Sequence, residues 1–252
     1  MPTPFTHLEI AQRLLSDTQV NPAHRDLINA QRGAFLLGNI AADARVGNGA
    51  PREATHFYRY GQDINSRVWR QMTDDHPRLM QPHSPAHQAF VAGYVAHLTV
   101  DETWSMQMVA PHFAMREWGD TDDRMWRFFM LHIILIYMDQ RDYAKLEAWQ
   151  PQALTAASPH NWLDFISDDD LKRWQTLIYD QIKPDGEVQT LEIFARRIGK
   201  TPADFSVILD SETRMQDDLW ANVSQATLHQ VETQLYANAR REMGVYLDES
   251  AL

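Results

Sequence analysis

An all-α fold, a multi-helix bundle, is predicted for this 252-residue chain by three features of its sequence. Apolar residues recur at helical spacing through most of its length, helix-start signals stand where several of those runs begin, and no alternating apolar/polar segment is long enough to argue for a strand. The length suffices for a sizeable core, and 44% apolar with 23% charged residues is ordinary globular composition. A single domain is expected, with a core over about residues 1–140 and further helices over about 155–252.

In FTHLEIAQRLL, Leu8, Ala11, Leu14 and Leu15 share one helical face. Thr6 and Glu9 read as a capping box that places His7 in the first turn. RGAFLLGNIAADA is a second apolar helix ending near Asp43, and RVGNGAPREA (45–54) has the Gly, Asn and Pro of a loop. Residues 84–110 read as one long helix, with Ser84 as N-cap and Pro85 at the first helical position. Residues 122–149 hold one or two more helices, PQALTAASPHNW reads as a linker-like break, and amphipathic helices follow near 167–182, 188–198 and 211–245.

Composition limits the chemistry. With no cysteine, disulfides, thiolate metal sites and cysteine nucleophiles are excluded, so a tightly bound metal must use His, Asp or Glu. A net charge of −11 argues against duplex nucleic acid as a partner. The longest apolar run, FFMLHIILIYM (128–138), is about half the length a bilayer-spanning helix needs, so stable membrane insertion is not expected. MPTPFTHLEI has no basic segment followed by an apolar one, so it is not a secretory signal, and a cytoplasmic location is expected.

Eight of the eleven histidines precede residue 113. His97 and Asp101 stand four apart in AHLTVDETW, so both side chains lie on one helix face, Cβ atoms roughly 5–6 Å apart. Tyr94, Leu98, Val100 and Trp104 surround them with apolar bulk, and a carboxylate in such surroundings needs a partner or a metal. Taken alone the pair reads first as a His–Asp hydrogen bond inside a core. Asp43 ends LLGNIAAD, which carries no other charge, and either caps the helix or faces into the bundle. His56 in ATHFY follows the loop and precedes aromatic residues, and His7 opens its helix.

The order T-H-L-E-I, G-N-I-A-A-D, T-H-F-Y, A-H-L-x-x-D-x-x-W resembles the zinc-dependent phospholipase C family, which includes bacterial phospholipases C and the amino-terminal part of glycosylphosphatidylinositol-specific phospholipase D. The likeness runs from about residue 1 to 104, PTPFTHLEIAQRLL being especially like uncharacterised bacterial members, and nothing past about residue 140 carries it. It implies an all-helical fold holding Zn2+, with hydrolysis of phosphodiester or phosphomonoester bonds by a zinc-activated water. Asp43, His56, His97 and Asp101 would hold one ion. His7 would hold a second, bridged by Asp101, and Asp43 is also the match for an aspartate that orients the water or takes its proton. Two ions are expected, one to three being compatible with the residues. The substrate would be a small phosphate ester or a phospholipid headgroup.

Members also carry a histidine soon after the helical motif and a His and a Glu on the next helix. Here Ser105 and Gln107 stand in the first stretch, His112 is the nearest histidine, and His132 and Asp139, seven apart, are the candidates for the later pair. Glu102 points about 100° round the helix from Asp101, a supporting or surface group, and Trp104 is expected beneath the site. Phe57, Tyr58, Tyr60 and Tyr94 belong to the core or line a groove. Two other classes compete. An oxygen-activating dimetal carboxylate bundle takes Glu and Glu-x-x-His from four helices, a poorer match to this His/Asp set. A non-catalytic helical scaffold retaining a structural metal is the other.

Overall fold

The computed structural model describes residues 1–47, 49–59, 67–119 and 123–250. Among these it is all-helical, with no strand. Two helices form its centre. Helix α3 (Arg32–Ala41) is buried at every position from Ala34 to Ala41, and α6 (Pro85–Trp104) at 17 of its 20 positions. A helix apolar all round has no solvent face, so it must be covered on every side.

The cover comes from the amphipathic helices. Against α3 pack α1 (Pro4–Ser16), α8 (Gln150–Ala156) and, at its end, α9 (Asp168–Ile182); α7 (Arg124–Tyr143) lies on α1. Along α6 runs α13 (Gln225–Glu249), with α5 (Val68–Asp75) beside it. The C-terminal helices are thus part of the same packing as the first half. The smaller elements are α2 (Pro22–Ala30), α4 (Glu53–His56), α10 (Thr190–Arg197), α11 (Pro202–Leu209) and α12 (Glu212–Arg214). No helix among the described residues is long and apolar enough to cross a membrane.

Ser84 caps α6 as its sequence predicts, its hydroxyl accepting the His87 N–H at 3.1 Å, with Pro85 in the first turn. Ser167 and Ser224 cap α9 and α13 in the same way. Four expectations need correction. α1 begins at Pro4 with Thr3 as N-cap, and the Thr6 hydroxyl, instead of capping, donates to the buried Asp142 carboxylate at 2.9 Å. The supposed break at 151–162 contains α8, because Pro151 sits in a first turn, where its missing N–H costs nothing. The long helix after Ser84 is α-helical only to Trp104. From Ser105 to Ala114 it widens into a π-helix, a looser winding that accommodates Pro111. Likewise the 211–245 segment divides into α12, a π turn (Met215–Trp220) and α13.

α3 and α6 touch backbone to backbone. A Cβ on Gly38 would overlap the Phe90 carbonyl oxygen, and one on Gly93 would overlap the Phe35 carbonyl oxygen and stand 2.9 Å from the Asn39 nitrogen. Alanine normally improves a helix interior over glycine, by about 1 kcal/mol. Gly93→Ala is nevertheless expected to destabilise the protein by about 1–3 kcal/mol, because rigid backbone must move to admit the methyl group. Gly244→Ala in α13, where a Cβ meets nothing within 4 Å, is expected to stabilise it by about 0.5–1 kcal/mol. Urea denaturation of the two variants, which should shift in opposite directions, is the check.

Candidate metal centre

The five residues that the first hundred positions single out converge on one point. His7 comes from the first turn of α1, Asp43 from the 3-10 turn (Ala42–Gly47) that continues α3, His56 from the end of α4, and His97 and Asp101 from α6. His7, His56 and His97 are wholly buried, Asp101 is 1% exposed, and Asp43, at 18%, lies on the rim.

Asp101 stands between the imidazoles. Its Oδ1 faces His7 Nε2 at 3.3 Å, while Oδ2 faces His56 Nε2 at 3.3 Å and His97 Nε2 at 3.6 Å. Asp43 Oδ1 is 3.6 Å from His56 Nε2, and the His56 and His97 Nε2 atoms are 3.4 Å apart. The His7 and His97 rings stack at 3.9 Å. Two groups of three result, His7/His97/Asp101 and Asp43/His56/His97, and within each one ligand atom per residue lies within 4.8 Å of the others.

The outward nitrogens are held by fixed partners. His97 Nδ1 lies 2.8 Å from the Asn39 carbonyl, which can only accept, so in the neutral ring Nδ1 carries the proton and Nε2 is free for the cluster. Asn39 lies in the last turn of α3, and the neighbouring Ile40 carbonyl accepts the Trp174 indole N–H at 2.7 Å. The Thr55 hydroxyl donates to the Arg52 carbonyl and accepts from His56 Nδ1 at 2.9 Å, leaving that Nε2 free as well. The Tyr94 hydroxyl donates to the Thr55 carbonyl at 2.7 Å and pins α4 to α6. Ring nitrogens oriented from outside in this manner are typical of metal-ligating histidines.

Charge states fit the same use. Burial pushes His56 down to about 4, and burial with His97 alongside lowers His7, so both are neutral imidazoles near pH 7. Burial also disfavours charge on His97, but the Asp101 carboxylate outweighs it and holds His97 above the usual range. Asp101 itself is held well below the carboxylate range by His97 and Arg52, against the effect of burial. His7 Nδ1, His7 Nε2 and Asp101 Oδ1 are buried without a hydrogen bond, since the His7–Asp101 approach lacks hydrogen-bond alignment. Buried lone pairs of that kind are costly unless something engages them. Two neutral imidazoles, a third in His97 that a metal would deprotonate, two carboxylates and orphaned donor atoms fit a divalent ion bound through nitrogen and oxygen. Buried His/Asp groups able to hold a metal ion are therefore present.

Arg52, which the sequence does not single out, completes the cluster. Arg52, in the segment taken as loop, places Nη2 2.6 Å from Asp101 Oδ2 and 2.9 Å from the Tyr58 hydroxyl. Ser105 stands 3.1 Å from the same hydroxyl, and both Ser105 and Tyr58 contact Met1 Sδ. Gln107 is exposed. Trp104 is fully buried below the site, and Glu102 caps another helix, its carboxylate accepting the Arg67 and Val68 N–H groups at 2.9 Å each. Phe57 packs on His76 and Phe165, while Tyr60 lies outside the described residues.

His112, His132 and Asp139 join neither group. His112 is half-exposed on the π segment, and His132 lines a separate cavity of about 360 Å³ beside Trp126, Phe129 and Lys200. Asp139 is wholly buried. Burial raises its carboxyl to about 6, the Thr3 and Thr190 hydroxyls offsetting this only in part. The folded state therefore holds this proton more tightly than the unfolded chain does. The resulting penalty is absent below about pH 4, grows through about pH 6 and is complete above it. Between pH 4 and pH 8 the wild type is expected to lose about 3 kcal/mol of stability relative to Asp139→Asn, read from urea melts across that range.

Comparison of the chain with family models, with curated proteins and with solved structures finds no match.

Proposed function

We propose that this protein is a zinc-dependent hydrolase of phosphate esters, similar in chemistry to a phospholipase C, acting on a phosphodiester or phosphomonoester such as a phospholipid headgroup. The observation that carries the proposal is the pair of His/Asp triads that share His97, with one Asp101 oxygen turned toward each. That arrangement suits two ions bridged by one carboxylate, as two-metal phosphoesterases require. Zinc, when bound, supplies Lewis acidity and brings the pKa of a water toward neutrality.

Around it the protein's residues have separable tasks. His7, His56 and His97 offer Nε2, with the Asn39 carbonyl and Thr55 hydroxyl fixing two of the rings. Asp101 neutralises charge from the centre of the cluster. Asp43 is the one candidate ligand on the rim, held below the ordinary carboxylate range by His97 and His56 in spite of burial, and so is ionised at neutral pH. It is placed to orient a water or accept its proton. Tyr58 and Arg52, both half-buried, stand beside Asp101.

A structural metal in a non-catalytic scaffold is the second reading, favoured by the burial of four of the five residues, since structural sites are closed. Elemental analysis and hydrolysis of chromogenic phosphodiesters and phosphomonoesters separate the two. About two equivalents of zinc with hydrolysis are expected, and His97→Ala should remove metal and lower kcat/KM by more than the roughly 10–100-fold typical of a supporting residue. Zinc without hydrolysis favours the scaffold, iron or manganese favours the dimetal oxygen-activating class, and absence of metal refutes both enzyme readings.

A further inference from the structure

Asp101 Oδ2 has more cationic company than one metal ligand can use. Arg52 Nη2 donates to it at 2.6 Å, and it is the same oxygen that faces His56 and His97. A divalent ion would sit about 2 Å from that oxygen. A guanidinium and an ion on one buried oxygen repel each other at those distances. Arginine keeps its charge at any ordinary pH, so it cannot yield by losing a proton. Turning aside relieves the repulsion.

A resting place is close by. Nη2 already donates to the Tyr58 hydroxyl at 2.9 Å, and Tyr58, in contact with Ser105, lies on the half-buried side of an otherwise closed cluster. A guanidinium turned that way presents its planar fork beside the metal positions. Two parallel N–H groups match the spacing of phosphate oxygens.

We infer that Arg52 is a displaceable counter-cation. It neutralises Asp101 in the metal-free protein, is turned off Oδ2 when metal loads, and then binds the anionic oxygens of the phosphate ester beside the ions. This rests on the reading of the cluster as a metal site, and it assigns Arg52 a substrate-binding role.

The test uses the whole chain as wild type, Arg52→Gln and Arg52→Lys. Metal-free protein is titrated with Zn2+ against a chromophoric chelator, and the zinc-loaded protein is titrated with inorganic phosphate by calorimetry. Arg52→Gln is expected to bind zinc about tenfold more tightly, because a competing cation is gone, and phosphate about tenfold more weakly. Its thermal midpoint should also rise more on adding zinc than the wild type's does. Arg52→Lys, which keeps the charge without the fork, is expected to match wild-type zinc affinity and lose several-fold in phosphate affinity; it decides the matter should Arg52→Gln fail to fold. Unchanged or weaker zinc binding by Arg52→Gln, or unchanged phosphate binding by either variant, overturns the inference while leaving the metal site standing. A wild type that takes up no zinc overturns both.

Discussion

The close approach of α3 and α6 is the constraint on which the rest of the structure depends. Gly38 and Gly93 leave no room for a Cβ between the two backbones, so each helix lies directly against the other's carbonyl oxygens. This brings the Asn39 carbonyl to His97 Nδ1, which sets the tautomer of the neutral ring and turns Nε2 inward. The same helix then tightens into the 3-10 turn that presents Asp43, one turn of chain from the contact. His97 and Asp101, one helical turn apart on α6, project toward it. α1 and α4 add His7 and His56 from two sides, α4 being fastened to α6 through Tyr94. The five cluster residues are rooted in helices and helix ends, not in loops.

A second constraint is electrostatic. An ionised carboxylate at 1% exposure is expensive unless compensated. Asp101 is compensated on Oδ2 by His97 and by Arg52. His7 and His56 stay neutral, so the cationic share falls to His97 and Arg52. A cluster so arranged holds together without metal and offers the Nε2 lone pairs of His7 and His56 to one, while His97 would release a proton on binding it. Asp139 shows the contrasting case: with no cation near it, its carboxyl is pushed up to about 6.

Much of this was legible in the sequence, and the failures have physical causes. The helical pair His97/Asp101 follows from spacing, and α6 was marked at its start by Ser84 and Pro85. His7, Asp43 and His56 were found only through their order, since each alone reads as an ordinary helix-end or loop residue. α8 was hidden because Pro151 and a Ser- and Ala-rich stretch resemble a linker, although proline suits a first turn. The start of α1 was misplaced because Thr6 has the identity of a cap while its hydroxyl serves Asp142, 136 residues away. Arg52 could not be seen at all: its partner lies 49 residues on, and no periodicity links them. The Asn39 carbonyl left no trace either, because side-chain identity says nothing of which backbone carbonyl is free.

The most direct measurement is diffraction from crystals of the zinc-loaded protein, recorded at the zinc absorption edge. Expected are two anomalous peaks, one about 2 Å from His97 Nε2 and His56 Nε2, the other beside His7 Nε2, with Asp101 between them. Zinc-loaded crystals with no anomalous peak at coordination distance from His97 or His7 would contradict the reading of this cluster as a metal centre.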